Sequence, residues 1–258
     1  MPILLSEERD RTLLLTLNRP EAHNALSSGL ALQLAAKLEE VAERREIRSV
    51  IVTGAGERAF CAGTDLKERR GLDADGKWAQ RTRGWRVNQL IWNLPQPVIA
   101  AIRGWCMGGG LELALFCDLR VASEDAVFSF PEMTLGAFPG SGATIALPRL
   151  IGRARAKELF FTARRVGAAE ALELGLVERV VPKDSVLDTA FEIAEQIKGT
   201  APLGVAATKR MVNVGADQGF DAAVALNEAL RRPLESSRDY EEGLAAFFEK
   251  RKPVFRGE

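Results

Sequence analysis

The 258-residue chain is 47% hydrophobic, enough for one large core or one core with a small appendage. Its 35 basic residues balance 35 acidic ones, so no overall field draws it to nucleic acid or to an anionic membrane. Cys61, Cys106 and Cys117 lack paired spacing and sit among apolar or glycine residues, which predicts buried thiols in a reducing compartment; with His23 the one histidine, no Cys/His metal site is expected.

The opening MPILLSEERDR has neither a basic nor a sustained apolar stretch, so it reads as a mature, cytoplasmic start. The longest apolar run, Leu111 to Leu119, is interrupted by Glu112 and Asp118 and falls short of a membrane span. Two short apolar runs, Ile3 to Leu5 and Leu13 to Leu17, predict an opening hairpin that ends at Asn18-Arg19-Pro20. Ser27 or Ser28 then caps a helix with Leu30, Leu34, Leu38 and Val41 at helical spacing. The continuous apolar SVIVTG predicts a strand covered on both faces, hence a mostly parallel sheet with helices packed on it.

Residues 54 to 71 form a glycine-punctuated loop running into a charged helix start. A helix over 77 to 94 carries three of the four tryptophans and stops at Pro95 and Pro97. The strand Val98 to Ile102 leads into Gly104 and the run Gly108, Gly109, Gly110, which opens an apolar segment of helical length. That places bare backbone N–H groups at a helix start. A second strand-like run, Ala126 to Phe130, precedes Pro131 and Glu132. The glycine-rich GAFPGSGAT predicts another helix starting near Gly140. From Asp184 onward the pattern is helical, over 184 to 198, 203 to 214, 219 to 231 and 239 to 250. The first 200 residues therefore read as repeated β-β-α units forming an α/β core, and residues 201 to 258 as a helical region that packs against a neighbour in an oligomer.

A glycine run alone is most simply a close helix–strand contact, and a glutamate in a first helical turn is most simply a dipole partner. Glu112 and Glu132 nevertheless flank the same glycine loop, and two carboxyls beside backbone donors suit acid/base chemistry next to a developing anion. Other motifs fail: the glycines do not give G-x-G-x-x-G, GAGERAF lacks the ending of a P-loop, and Ser141 lacks the surroundings of a nucleophile elbow. Lys67, Arg69 and Arg70 read as a solvated helix face or as a site for a phosphate-bearing ligand.

AFCAGTDLKE, PVIAAIRGWCMGGGLELALFCDLRVAS, FPEMTLGAFPGSGAT, AAEALELGLVERVV and the closing GLAAFFEKRKPVFRG together resemble the crotonase, or enoyl-CoA hydratase/isomerase, superfamily over nearly the whole chain. The resemblance implies a crotonase-like spiral of β-β-α units with a C-terminal helical trimerisation region, assembled as a homotrimer or dimer of trimers. It also implies an acyl-CoA thioester substrate and no separate cofactor. Thr64 and Gly109 match the two positions whose backbone N–H groups bind the thioester oxygen, and Glu112 and Glu132 match the acid/base pair of the hydratases. Ala62 and the segment Thr64, Asp65, Leu66, Lys67 match walls of the CoA and acyl site, Gly140 matches an N–H near the reacting water, and Lys250 resembles a lysine reaching a neighbour's CoA phosphates.

With both glutamates present, the resemblance implies water addition to a trans-2-enoyl-CoA, giving a 3-hydroxyacyl-CoA. Double-bond isomerisation and hydration of branched substrates of the 3-methylglutaconyl-CoA type are the enzymatic alternatives. An RNA-binding or scaffold protein on the same fold is the alternative from another class, disfavoured by the zero net charge. Phe130 departs from a polar residue found in some hydratases, a change expected to raise the pKa of a neighbouring carboxyl or to reshape the acyl pocket.

Overall fold

β1 (Leu4–Arg9) and β2 (Thr12–Leu17) form the expected antiparallel hairpin, turned by Asp10 and Arg11, both at positive φ. The computed structural model describes residues 1–258. Helix α1 (Ser28–Ala42) starts at Ser27, whose hydroxyl accepts from Leu30 N at 3.2 Å, and it buries Leu30, Leu34 and Leu38. Strand β3 (Ser49–Gly54) is buried along its whole length and lies parallel to β2.

The β-β-α repeat has a simple geometric form. β3 is followed by β4 (Ala59–Cys61), α2 (Leu66–Arg70) and α3 (Ala74–Asn93). β5 (Val98–Ile102) is followed by β6 (Trp105–Met107) and α4 (Gly109–Phe116). β7 (Leu119–Ser123) is followed by β8 (Val127–Ser129), and then by α5 (Ala143–Ile151) and α6 (Arg153–Thr162). The first strand of each unit joins one sheet and the second joins another: the larger sheet runs β1-β2-β3-β5-β7 and ends at a later strand, while the smaller contains β4, β6 and β8 side by side. β4, β6 and β8 are parallel, so the loops leaving their C-terminal ends emerge together.

After α6 come β9 (Val166–Gly167), α7 (Ala168–Leu174) and β10 (Arg179–Val181), which closes the larger sheet beside β7. The rest is helical: α8 (Val186–Lys198), α9 (Pro202–Arg210), α10 (Phe220–Arg231) and α11 (Arg238–Glu249). The main core lies where the two sheets meet α1, α3 and α4, and a smaller core lies under α8 on the other face of the larger sheet. The three cysteines are buried and free. No helix is long and apolar enough to cross a membrane.

Two boundaries differ from the sequence expectation. The helix expected over 203 to 214 is regular only to Arg210 and widens into a π-turn over Met211–Gly215. The helix expected near Gly140 begins at Ala143, because Gly142 sits at φ +102°, a left-handed conformation that breaks the chain direction before the helix.

Candidate active site

Three loops, one from the end of each parallel strand of the smaller sheet, build the site. The loop after β4 carries Gly63 and Thr64; the loop after β6 carries Gly108 and Gly109; the loop after β8 carries Pro131 and Glu132. Gly108 N donates to Ser129 O at 2.9 Å, tying the second loop to the third. The carboxyl ends of parallel strands are the usual place for a ligand in such folds.

Each glycine of the GGG run clears a different neighbour. A Cβ on Gly108 would stand 2.8 Å from Glu132 Oε1, one on Gly109 would stand 3.3 Å from Thr64 N, and one on Gly110 would stand 2.3 Å from Cys61 O. The run is thus a close helix–strand contact and also the floor of the site. Gly109 is the first residue of α4, so its N–H has no partner within the helix. Thr64 N and Gly109 N have no backbone acceptor among the loop and cap hydrogen bonds. Two adjacent free donors, one at the start of α4 and one in the loop after β4, make a binding place for negative charge.

Glu112, in the first turn of α4, is 3% exposed. Its Oε1 accepts from Ser141 N at 2.7 Å and from Ala143 N at 3.2 Å. Burial raises its pKa, and those two N–H groups oppose the rise by favouring the charged form. Glu132 lies in a short 3-10 turn over Pro131–Leu135, with Oε2 buried and without a hydrogen-bond partner. Burial, reinforced by the charge of Glu112, pushes its pKa up to about 7. The pair is therefore asymmetric: one carboxyl is held by two donors of a neighbouring loop, the other keeps a buried oxygen without a partner. Phe130, 1% exposed, packs against Phe160 with ring centroids 4.8 Å apart.

The remaining predicted residues have mixed placements. Asp65 turns its carboxyl to the protein: it caps α2 by accepting from Lys67 N and Glu68 N, and it pairs with Arg19 at 2.8 Å. The ion pair and the cap fix the turn that carries Thr64. Ala62 N donates to His23 O at 3.0 Å, while Leu66 and Lys67 are exposed on α2. Gly140 uses its carbonyl, which accepts from Arg81 Nε at 2.9 Å; the N–H groups that meet Glu112 come from Ser141 and Ala143 instead. Lys250 ends α11 in the left-handed conformation, exposed.

Ser141, Ala143, Arg81 and Asn88 are site residues that the sequence reading passed over. Asn88, on α3, donates to Ser141 O at 2.7 Å. The glycine-rich GAFPGSGAT was the available signal for the first two. A cavity of about 980 Å³ lies elsewhere, between α9 and the ends of α4 and α5, and neither glutamate lines it.

A spiral of β-β-α units with paired backbone donors, one buried carboxyl and one half-buried carboxyl at one strand end defines an acyl-thioester enzyme of the crotonase type. Residues 7–258 match the profile of the enoyl-CoA hydratase/isomerase family, and the chain belongs to that family. A short-chain-enoyl-CoA hydratase of Clostridium acetobutylicum is 38% identical over 96% of this chain and 95% of its own length. A crotonyl-CoA hydratase of Syntrophomonas wolfei is 36% identical over 98% of this chain and 97% of its own. The crystal structure of an enoyl-CoA hydratase from Bacillus anthracis, 41% identical, superposes with a TM-score of 0.97 and covers 100% of both chains.

Proposed function

We propose that this chain is an enoyl-CoA hydratase that adds water to a trans-2-enoyl-CoA thioester and releases a 3-hydroxyacyl-CoA. The observation that carries the reading is the asymmetry of the two carboxyls. Glu112, supplied with two N–H donors, is suited to be the ionised base; Glu132, half-buried with one buried oxygen lacking a partner and a pKa of about 7, is suited to be the acid.

In this reading the thioester carbonyl accepts from Thr64 N and Gly109 N. Glu112 takes a proton from water as the water oxygen bonds to the β-carbon. The carbon–carbon double bond breaks, and its electrons move through the enolate whose oxygen the two donors stabilise. Glu132 then gives its proton to the α-carbon. Proton count and charge balance: the dyad begins and ends with one proton, moved from Glu132 to Glu112. Donors aimed at charge that appears only in the transition state lower the barrier rather than tighten substrate binding.

The substrate is an acyl-CoA thioester, with Ala62, Leu66 and Lys67 proposed to line its path. The assembly we propose is a homotrimer or dimer of trimers. Its support is the apolar surface of the C-terminal helices, where Phe220, Phe247 and Phe248 are 82%, 76% and 78% exposed in the single chain. Lys250, beside Phe247 and Phe248 in sequence, is then free to meet a neighbour's CoA phosphates. A cytoplasmic location is proposed because the three buried free cysteines suit a reducing compartment.

The test is to add crotonyl-CoA and follow loss of the conjugated thioester absorbance, with Glu132→Gln alongside. Rapid loss that falls by about a hundredfold or more in the variant is the expected result. Full activity in the variant overturns the assignment. Rearrangement of a 3-enoyl-CoA without uptake of water, in place of hydration, identifies an isomerase.

A further inference from the structure

Arg81 grips the far end of the peptide group that faces Glu112. Arg81 Nε donates to Gly140 O at 2.9 Å, and the N–H at the other end of that same peptide, on Ser141, donates to Glu112 Oε1 at 2.7 Å. A trans peptide is planar, with C=O and N–H pointing in opposite directions. The guanidinium and the carboxyl therefore sit at the two ends of one rigid dipole. A donor on the carbonyl also polarises the N–H and strengthens its bond to the acceptor beyond.

The neighbouring groups make the arrangement stiff. Asn88, 2% exposed, donates to the next carbonyl, Ser141 O, at 2.7 Å, so α3 holds two successive peptide groups of this loop. Arg81 lies over the Trp78 ring, 4.8 Å from its centroid, which limits its own freedom. A Cβ on Gly140 would stand 3.3 Å from Arg81 Nε, so glycine there leaves the guanidinium its place. The charge of Arg81 also acts on Glu112 directly, in the sense that favours the ionised form. The titratable group coupled to Glu112 is Glu132, from the turn after β8.

We propose that Arg81 is a positioning residue for hydration: through the Gly140–Ser141 peptide it aims and polarises the N–H that holds Glu112 as an ionised base. This inference rests on the hydratase reading above. It gives α3 a task in the chemistry through the loop that it holds.

The experiment compares wild type, Arg81→Gln and Arg81→Lys in the hydration of crotonyl-CoA across pH. For Arg81→Gln, kcat falls on the order of ten- to a hundredfold with KM little changed, as for a small misplacement of a reacting group. Its acid limb in kcat/KM moves up by about one pH unit, as when a nearby opposite charge is removed. Arg81→Lys, which keeps the charge and a donor, recovers part of both. Titration of the Glu112 carboxyl by carbon-13 NMR, assigned by its absence in Glu112→Gln, reads the same shift without turnover. An Arg81→Gln protein with an unmoved limb and an unmoved Glu112 titration overturns the inference, whatever its melting temperature or kcat. Failure of the wild type to hydrate any enoyl-CoA overturns the function instead, and the NMR titration then decides the role of Arg81 alone.

Discussion

The carboxyl of Glu132 occupies the space in which a side chain on Gly108 would have to begin: a Cβ there would lie 2.8 Å from Oε1 and 3.4 Å from Cδ. Gly108 is also at φ +50° and ψ −124°, a combination that strains any other residue. Sterics and backbone conformation therefore require the same residue at this position. The peptide that follows Gly108 carries the N–H of Gly109, so any shift here moves a donor and an acid together.

Gly108→Ala is expected to remain folded but to lose activity by roughly a hundredfold or more, since displacements of about 1 Å cost that much in a preorganised site. Steady-state kinetics on crotonyl-CoA, with circular dichroism to verify the fold, check this. A variant that keeps more than about a third of wild-type kcat would show that Glu132 has room to move without consequence.

The two carboxyls also predict a particular pH profile. Hydration begins with the proton on Glu132 and ends with it on Glu112, so the active dyad always carries one proton. Burial and the neighbouring charge of Glu112 push the pKa of Glu132 up to about 7. The profile of kcat/KM is then bell-shaped, with its alkaline limb falling at about pH 7 as the dyad loses that proton. No proton is gained or lost overall, so dehydration of the 3-hydroxyacyl-CoA must follow the same bell. Initial rates in both directions on the same buffers test this, and an activity flat from about pH 6 to about pH 9 rules out Glu132 as the acid.

How much of this was legible in the sequence follows from the range over which each interaction acts. The opening hairpin, the buried β3 run and the four C-terminal helices rest on local periodicity, and local periodicity located them. The pairing of Thr64 with Gly109 rests on β4 lying parallel to β6, a long-range fact that only the family resemblance supplied. Glu112 meets Ser141 and Ala143 across 29 and 31 residues of chain, and Gly142 turns those N–H groups inward through a left-handed conformation that any glycine-rich loop could or could not adopt. Arg81 and Asn88 look like ordinary polar residues of a helix until α3 is set against that loop. Asp65 shows the reverse case: its place in a ligand-like motif suggested a wall of the site, yet its carboxyl is engaged by Arg19 and by the start of α2.

The elevated pKa of Glu132 has a consequence for stability that can be measured without substrate. In an unfolded chain this carboxyl has its ordinary value of 4.5, against about 7 in the fold. Between those values the folded protein binds more protons than the unfolded one, so stability falls as pH rises, and the loss is complete above the folded value. The lost amount is up to about 3 kcal/mol, from the cost of one pKa unit. Glu132→Gln keeps the shape of the protonated acid and removes the titration. Relative to wild type, the variant should therefore gain stability between about pH 4 and about pH 8, by up to roughly 3 kcal/mol. Urea unfolding of both proteins at the two pH values measures the difference, or several degrees in melting temperature where unfolding is reversible. A relative stability that does not change with pH would mean that Glu132 titrates normally in the fold, and the acid would then have to be sought elsewhere.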